Sequence, residues 1–362
     1  MSHIVIPGCS APGKILFRVN STLDEFFKQF DELTRSAALR SILVIVTLYS
    51  ILNIFHLIIL TRPQMKTISV SKEMILIAAS GVVNGVVGVV KNIVEIFEDE
   101  YFCVHSNPYN IMVLIHSWLF QVMNQIILLE IVHITFLRAA IILDVRHGIK
   151  TEKIKLAMRT FISLLFSVFL VNQSIRIGLH RIMEADDMVE RREEVDGKVC
   201  PVEKVYTVRS IAGNCLRRIL FSVTAVTSLL IPIFIMLVLS IFLICELQTN
   251  LPTVSTSSST TFSQSANRQN TAARALLVFL CFYVLAQLPY ALLYSVGLYN
   301  PADFEQLDEY IYTQVDIFIY TNMCLGILVY CLMSSQYRET IRSTFWRRKS
   351  SAVGDPSSRS TR

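Results

Sequence analysis

The sequence predicts an all-α membrane protein, a seven-transmembrane helix bundle closed by a short amphipathic surface helix. Three observations predict it. Apolar residues fall in seven blocks of about 20 residues or more, enough to cross a bilayer. Charged residues make up 17% of the chain, against about a quarter in soluble domains. The last apolar block ends at Met333-Ser334-Ser335-Gln336-Tyr337-Arg338 and hands over to Phe345-Trp346-Arg347-Arg348-Lys349. Aromatics on one side and arginines on the other suit a helix lying on a membrane surface.

The spans are expected near 40–61, 74–97, 110–143, 156–178, 211–247, 271–297 and 309–333. They divide the chain into an extracellular N-terminal segment (1–39), the transmembrane domain (40–333), a surface helix (334–347) and a disordered cytoplasmic tail (348–362). The first 37 residues hold no apolar core of a signal peptide, so the first span is expected to direct insertion. With the N-terminus outside, the inner segments carry Arg62, Lys66, Lys72, Arg146, Lys150, Lys153 and Lys155, while the acids Glu98, Asp99, Glu100, Asp303, Glu305 and Asp308 fall outside. Positive residues on the inner side favour this orientation, although segment 179–209 holds basic and acidic residues together. The chain is therefore expected in the plasma membrane, multi-pass, N-terminus out and C-terminus in. Its net charge of +5 is read as an inner face meeting anionic lipid, with no nucleic-acid partner.

Asn20-Ser21-Thr22 is a glycosylation sequon that faces outside in this orientation; Asn172-Gln173-Ser174 lies inside a span and is discounted. Cys245, Cys281, Cys324 and Cys331 lie in apolar spans and read as packing residues. Cys9 and Cys215 stay ambiguous. Cys103 and Cys200 both fall in predicted outer loops, where a bridge between them would pin the long loop to the third span.

Along the spans, polar residues require a reason, because lipid solvates them poorly. Asn53, in Asn53-Ile54-Phe55-His56 of the first span, reads as a helix-packing hydrogen bonder. In the third span Trp118, Gln121, Asn124 and Gln125 share roughly one helical face, lining an outer cavity or stitching helices together. Arg138, near its inner end, either snorkels to headgroups or engages a cytoplasmic partner. Pro232 and Pro289 interrupt the fifth and sixth spans and predict kinks, static or hinging. Gln287, Tyr290 and Tyr294, with Tyr310, Tyr312, Gln314 and Asp316 of the last span, suit a ligand cavity. The Ser/Thr-rich segment 249–270 is expected to be a disordered loop. No nucleophile–base pair or metal set shares a depth, so no enzyme activity and no cofactor are expected. Glu130 and His133 keep a transporter or channel open as a remote alternative.

These residues resemble a rhodopsin-type G-protein-coupled receptor, and more closely the nematode serpentine receptor class w group, related to myosuppressin and FMRFamide-like peptide receptors. The resemblance runs from about 40 to 346 and rests on Asn53…His56…Arg62…Met65, Cys103…Pro108-Tyr109, Ser117-Trp118-Leu119, Ile231-Pro232, Gln287-Leu288-Pro289 and Met333…Arg338. It implies a heterotrimeric G protein as partner, contacted by Arg138, Tyr330, Tyr337 and Arg338, and Cys103–Cys200 as the outer disulfide. The departures are as informative. The second-helix aspartate falls at Gly81, Gly326-Ile327-Leu328-Val329-Tyr330 lacks the Asn and Pro of its motif, no acid precedes Arg138, and Gln269 offers it no partner on the sixth helix. Either high basal activity or weakened coupling would follow.

The ligand is expected to be a neuropeptide, with a small environmental molecule as the alternative. Phe120 stands where amine receptors carry an aspartate, which argues against biogenic amines. The charged loop 179–209 suits a β-hairpin lid, and Asp303 and Glu305 would favour a basic peptide end.

Overall fold

The computed structural model describes residues 22–66, 71–101, 107–147, 152–184, 206–210, 214–249 and 260–345. In order these form α1 (Thr22–Leu60), α2 (Pro63–Lys66), α3 (Ser71–Tyr101), α4 (Asn107–His147), α5 (Glu152–Gly178), β1 (His180–Glu184), β2 (Tyr206–Ser210), α6 (Asn214–Ala225), a π-helical turn (Val226–Leu230), α7 (Ile231–Thr249), α8 (Thr260–Tyr299), α9 (Pro301–Met333) and α10 (Ser335–Phe345). Among the described residues seven helices are long and apolar enough to cross a membrane, with α6, the π turn and α7 forming the fifth. The strands pair antiparallel, His180 opposite Ser210 and Glu184 opposite Tyr206. They mark one end of the bundle, the hairpin end; α10 marks the other, the tail end.

The bundle is arranged as a lipid-embedded protein must be. Val44, Ile51, Leu164, Val171, Phe234, Ile241 and Leu292 are exposed on its outside. Tyr49, Ile131, Met236, Ile319 and Tyr320 fill the core together with buried Asn53, Asn84 and Gln125. Polar groups inside and aliphatic ones outside are what hydrocarbon solvent selects.

The first and second spans approach closely along a glycine stripe. A Cβ on Gly81 would lie 2.3 Å from the Asn53 Oδ1, and one on Gly85 would lie 2.2 Å from the Ser50 Oγ. Small residues four apart let two membrane helices meet backbone to backbone. Asn53 lies flat over Gly81, its amide donating to the Tyr49 carbonyl at 2.9 Å. This gives Asn53 the packing role read from its sequence, but within its own helix rather than to a neighbour's backbone.

Three helices begin eight or more residues before the expected bounds. The first begins at Thr22 rather than 40, the seventh at Pro301 rather than 309, and the sixth at Thr260 rather than 271. The segment 249–270 was expected to be a loop; its second half, residues 260–270, is helix. Hydropathy marks where lipid begins, whereas Ala266, Gln269, Ala272, Ala273 and Arg274 carry helical propensity onward without being apolar enough to mark a span. At the hairpin end the overhangs of α1 and α9 bind each other. The Tyr310 hydroxyl donates to Asp24 at 3.1 Å, the Gln306 amide also reaches Asp24, and Gln314 donates to Thr34 at 2.8 Å.

The two prolines act differently. The fifth span opens into a π turn that ends just before Pro232, with the Ile231 N–H reaching the Val226 carbonyl. Pro289 sits inside a continuous α8. Asn172 and Gln173 of α5 bind the same span, donating to the Thr224 hydroxyl at 2.6 and 3.3 Å. This is a helix-packing role for the discounted sequon.

Candidate functional site

At the hairpin end the ends of α1, α3, α4, α5, α8 and α9 enclose an open cavity of about 390 Å³. Its wall takes Lys91 and Glu95 from α3, His116, Phe120 and Gln121 from α4, Tyr290 and Tyr294 from α8, and Asp308, Tyr312 and Asp316 from α9. Arg35 and Arg176 stand at the sides. A smaller cavity of about 50 Å³ adjoins it between α4, α5, the fifth span and α8. Phe120, Gln121, Tyr290 and Tyr294 line both, while Asn124, Gln125 and Gln287 line the smaller one.

The expected site residues divide accordingly. Gln121, Tyr290, Tyr294, Tyr312 and Asp316 reach the large cavity, and Asn124, Gln125 and Gln287 its extension. Trp118 reaches neither. The inward face of α4 runs through Val113, Ser117, Phe120, Gln121 and Asn124, and at 3.6 residues per turn Trp118 points off its edge. Asp303 lines neither cavity. It is fully buried and accepts a 2.9 Å bond from the Asn300 amide in the first turn of α9, where a carboxylate complements the helix dipole. The apolar core stops short of this turn, so its acids read as loop. The side chain of Glu305 lies outside the described residues, as do Asn20, Cys103 and Cys200. Cys245, Cys281, Cys324 and Cys331 are free thiols, while Cys215 is disulfide-bonded.

Lys91, Glu95 and His116 escaped the sequence reading. Lys91 and Glu95 are buried, ion-paired one helical turn apart, and the Tyr312 phenol donates to Glu95. The Lys91 ammonium stands 4.8 Å from the centre of the Tyr312 ring. A Lys–Glu pair four apart inside an apolar span was the signal available, since charge at that depth requires a partner or a function.

Below the cavity a polar relay joins four helices. Asn84 donates to Asn124 at 3.2 Å, the Tyr320 hydroxyl to Asn84 at 3.3 Å, and the Tyr283 hydroxyl to the Asn124 carbonyl at 3.3 Å. It ties the spans that line the cavity to one another.

The tail end gathers the other expected group. His56 shares a 3.0 Å hydrogen bond with the Tyr337 hydroxyl, and the rings of His56, Tyr330 and Tyr337 pack with centroids 5.2–6.1 Å apart. Arg138 lies in the neighbourhood of Tyr330. Arg338 is exposed and donates to the Leu332 carbonyl. Phe345 stacks on Phe55 at 5.8 Å and Ser343 donates to Gln64 at 2.9 Å, so α10 is docked on the end of the first span. Arg138, Tyr330 and Tyr337 are thus brought together.

A seven-span helical bundle with an open cavity at one end and an aromatic–basic cluster at the other has the architecture of a membrane receptor. Residues 40–348 match the family model described as Serpentine type 7TM GPCR chemoreceptor Srw, and the chain belongs to this family of G-protein-coupled receptors. No curated protein matches it.

Proposed function

We propose that this chain is a chemoreceptor of the plasma membrane, its hairpin end outside, that binds a small molecule in the large cavity and activates a heterotrimeric G protein at its tail end. The observation that carries this is the cavity itself. Its volume of about 390 Å³ is that of a small-ligand site, and aromatic rings stand in it beside convergent charged groups. The family description favours the same choice over the neuropeptide expected at first. Arg138, Tyr330, Tyr337 and Arg338 are assigned to the G-protein face. The π turn before Pro232 and the proline within α8 supply the local irregularities about which helices can pivot.

A second reading, a peptide ligand, is supported by one observation. The strands His180–Glu184 and Tyr206–Ser210 pair as expected of a lid and pack beside α4.

The deciding experiment is a G-protein activation assay in cells displaying the receptor, challenged in parallel with a small-molecule library and an amidated peptide library. A small-molecule response that disappears in Arg138→Ala supports the first reading. A response confined to peptides, weakened by reversing the charge of Glu305, supports the second.

A further inference from the structure

Resting on the small-molecule reading, we propose that the cavity takes a small organic ammonium ion, seated on the Asp316 carboxylate and enclosed by the rings of Phe120, Tyr290 and Tyr294. The floor of the cavity presents two carboxylates, Glu95 and Asp316, to one ammonium, Lys91. That ammonium is in contact with Glu95, which the Tyr312 phenol also serves. Asp316 is held instead by a neutral donor, the Tyr290 hydroxyl at 3.0 Å, and the charges acting on it are those of Lys91 and Glu95. Of these two carboxylates Asp316 is thus the one with no cation in contact, in a site of low dielectric where a carboxylate gains most from an incoming cation.

The wall also carries Asp308, Arg35 and Arg176. Arg35 pairs with Asp31 at 3.9 Å. Arg176 lies 4.9 Å over the Phe221 ring and donates to Gln173 at 3.4 Å.

The walls suit the same guest. Phe120 and Tyr290 lie 6.1 Å apart between centroids, and Tyr290 and Tyr294 6.4 Å. In both pairs the rings are tilted onto each other, and ring surface turned to the cavity attracts an alkylammonium that comes within about 6 Å of a centroid. Lys91 over Tyr312 is the protein's own example of that contact. Phe120 had argued against amines by taking the place of an acid on the third span. The fold returns an acid from the seventh, since Phe120 packs on Tyr290 and Tyr290 is bonded to Asp316.

The test uses the purified full-length receptor in lipid nanodiscs, with its unfolding midpoint followed against four matched probes at millimolar concentration. These are 2-phenylethylammonium, 3-phenylpropan-1-ol, 3-phenylpropionate and zwitterionic phenylalanine. The ammonium probe is expected to raise the midpoint by about 2–4 °C, and the alcohol and the carboxylate to leave it unchanged. Asp316→Asn keeps an acceptor for the Tyr290 hydroxyl and removes only the charge. It should retain the unliganded midpoint and lose the shift, while Asp316→Glu keeps part of it. A shift in phenylalanine that also depends on Asp316 supports the proposal, because its ammonium is then the group bound. Equal stabilisation by the alcohol or the carboxylate, or a full shift in Asp316→Asn, overturns it while the small-molecule reading stands. No shift with any small probe, together with stabilisation by an amidated peptide, overturns both.

Discussion

Gln125 donates its side-chain amide to the Thr227 carbonyl, 3.3 Å away across the interface between the third and fifth spans. In the π turn each N–H reaches five residues back, as Ile231 does to Val226. The next residue is Pro232, which has no N–H to give Thr227. The side chain of Gln125 supplies the missing donor. A residue expected to meet a ligand is thereby given a structural task as well.

Removing that donor in Gln125→Ala is expected to cost about 1 kcal/mol, as for a buried acceptor left without its bond. Pro232→Ala restores an N–H at the position that lacks it. In that background the Gln125 substitution should cost much less, so the two changes will not add. Thermal unfolding of the four proteins of this cycle checks it; strict additivity would show that Gln125 does not serve the proline.

The glycine stripe makes a graded prediction. A Cβ at Gly85 would lie 3.1 Å from the Ser50 Cα as well as meeting its hydroxyl, whereas at Gly81 it meets only the Asn53 side chain. Gly85→Ala should therefore be the costlier substitution, destabilising the receptor by about 1–3 kcal/mol. Gly81→Ala should be relieved by Asn53→Ala, which removes the obstructing amide. Thermostability of the detergent-solubilised variants reports both.

At the tail end Tyr337→Phe keeps the ring and removes the bond to His56. A loss of about 1 kcal/mol corresponds to amide exchange about fivefold faster over residues 335–345, with the first span unaffected. Hydrogen-exchange mass spectrometry measures this directly. Unchanged protection would assign the docking of α10 to its other contacts, Phe345 on Phe55 and Ser343 on Gln64.

The ion pair inside the cavity wall predicts a rescue. Lys91→Met leaves Glu95 buried without its cation, a loss of about 3–5 kcal/mol, whereas Lys91→Met combined with Glu95→Gln removes both charges and should recover most of it. The Tyr312 phenol can still donate to the new amide oxygen. Unfolding midpoints of the single and double variants are the measurement, and a double variant no better than the single one would count against a dedicated pair.

Which of these relationships the sequence could announce follows from the kind of information each needs. The seven spans were legible because a run of aliphatic residues such as Ile231 to Ile244 has one physical meaning at that length. The aromatic and polar positions of the cavity were legible from helical spacing, Tyr290 and Tyr294 together on α8 and Tyr312 and Asp316 together on α9. Trp118 failed at the edge of such a face, where spacing alone does not fix rotation. Asp303 failed because an acid beside an apolar block looks the same as loop or as the first turn of a helix. The pairing of Gln125 with Thr227 was beyond reach, since it depends on the register between two helices and on a π turn that no local residue preference encodes.

The overhang of the first helix carries a consequence for biosynthesis. Thr22–Leu60 spans 39 residues, about 58 Å at the helical rise, against a hydrocarbon core of about 30 Å. The partners that steady the projecting turns, Gln306 and Tyr310 for Asp24 and Gln314 for Thr34, arrive only with the seventh helix. Until the seventh helix is inserted, the opening turns lack these partners and rest on bonds within their own helix, Arg35 to Asp31 among them, with Phe26, Phe30 and Leu33 facing outward. The first part of the bundle to be made is thus among the last to be secured. Its docking onto the seventh helix records that this helix has been inserted in the matching orientation.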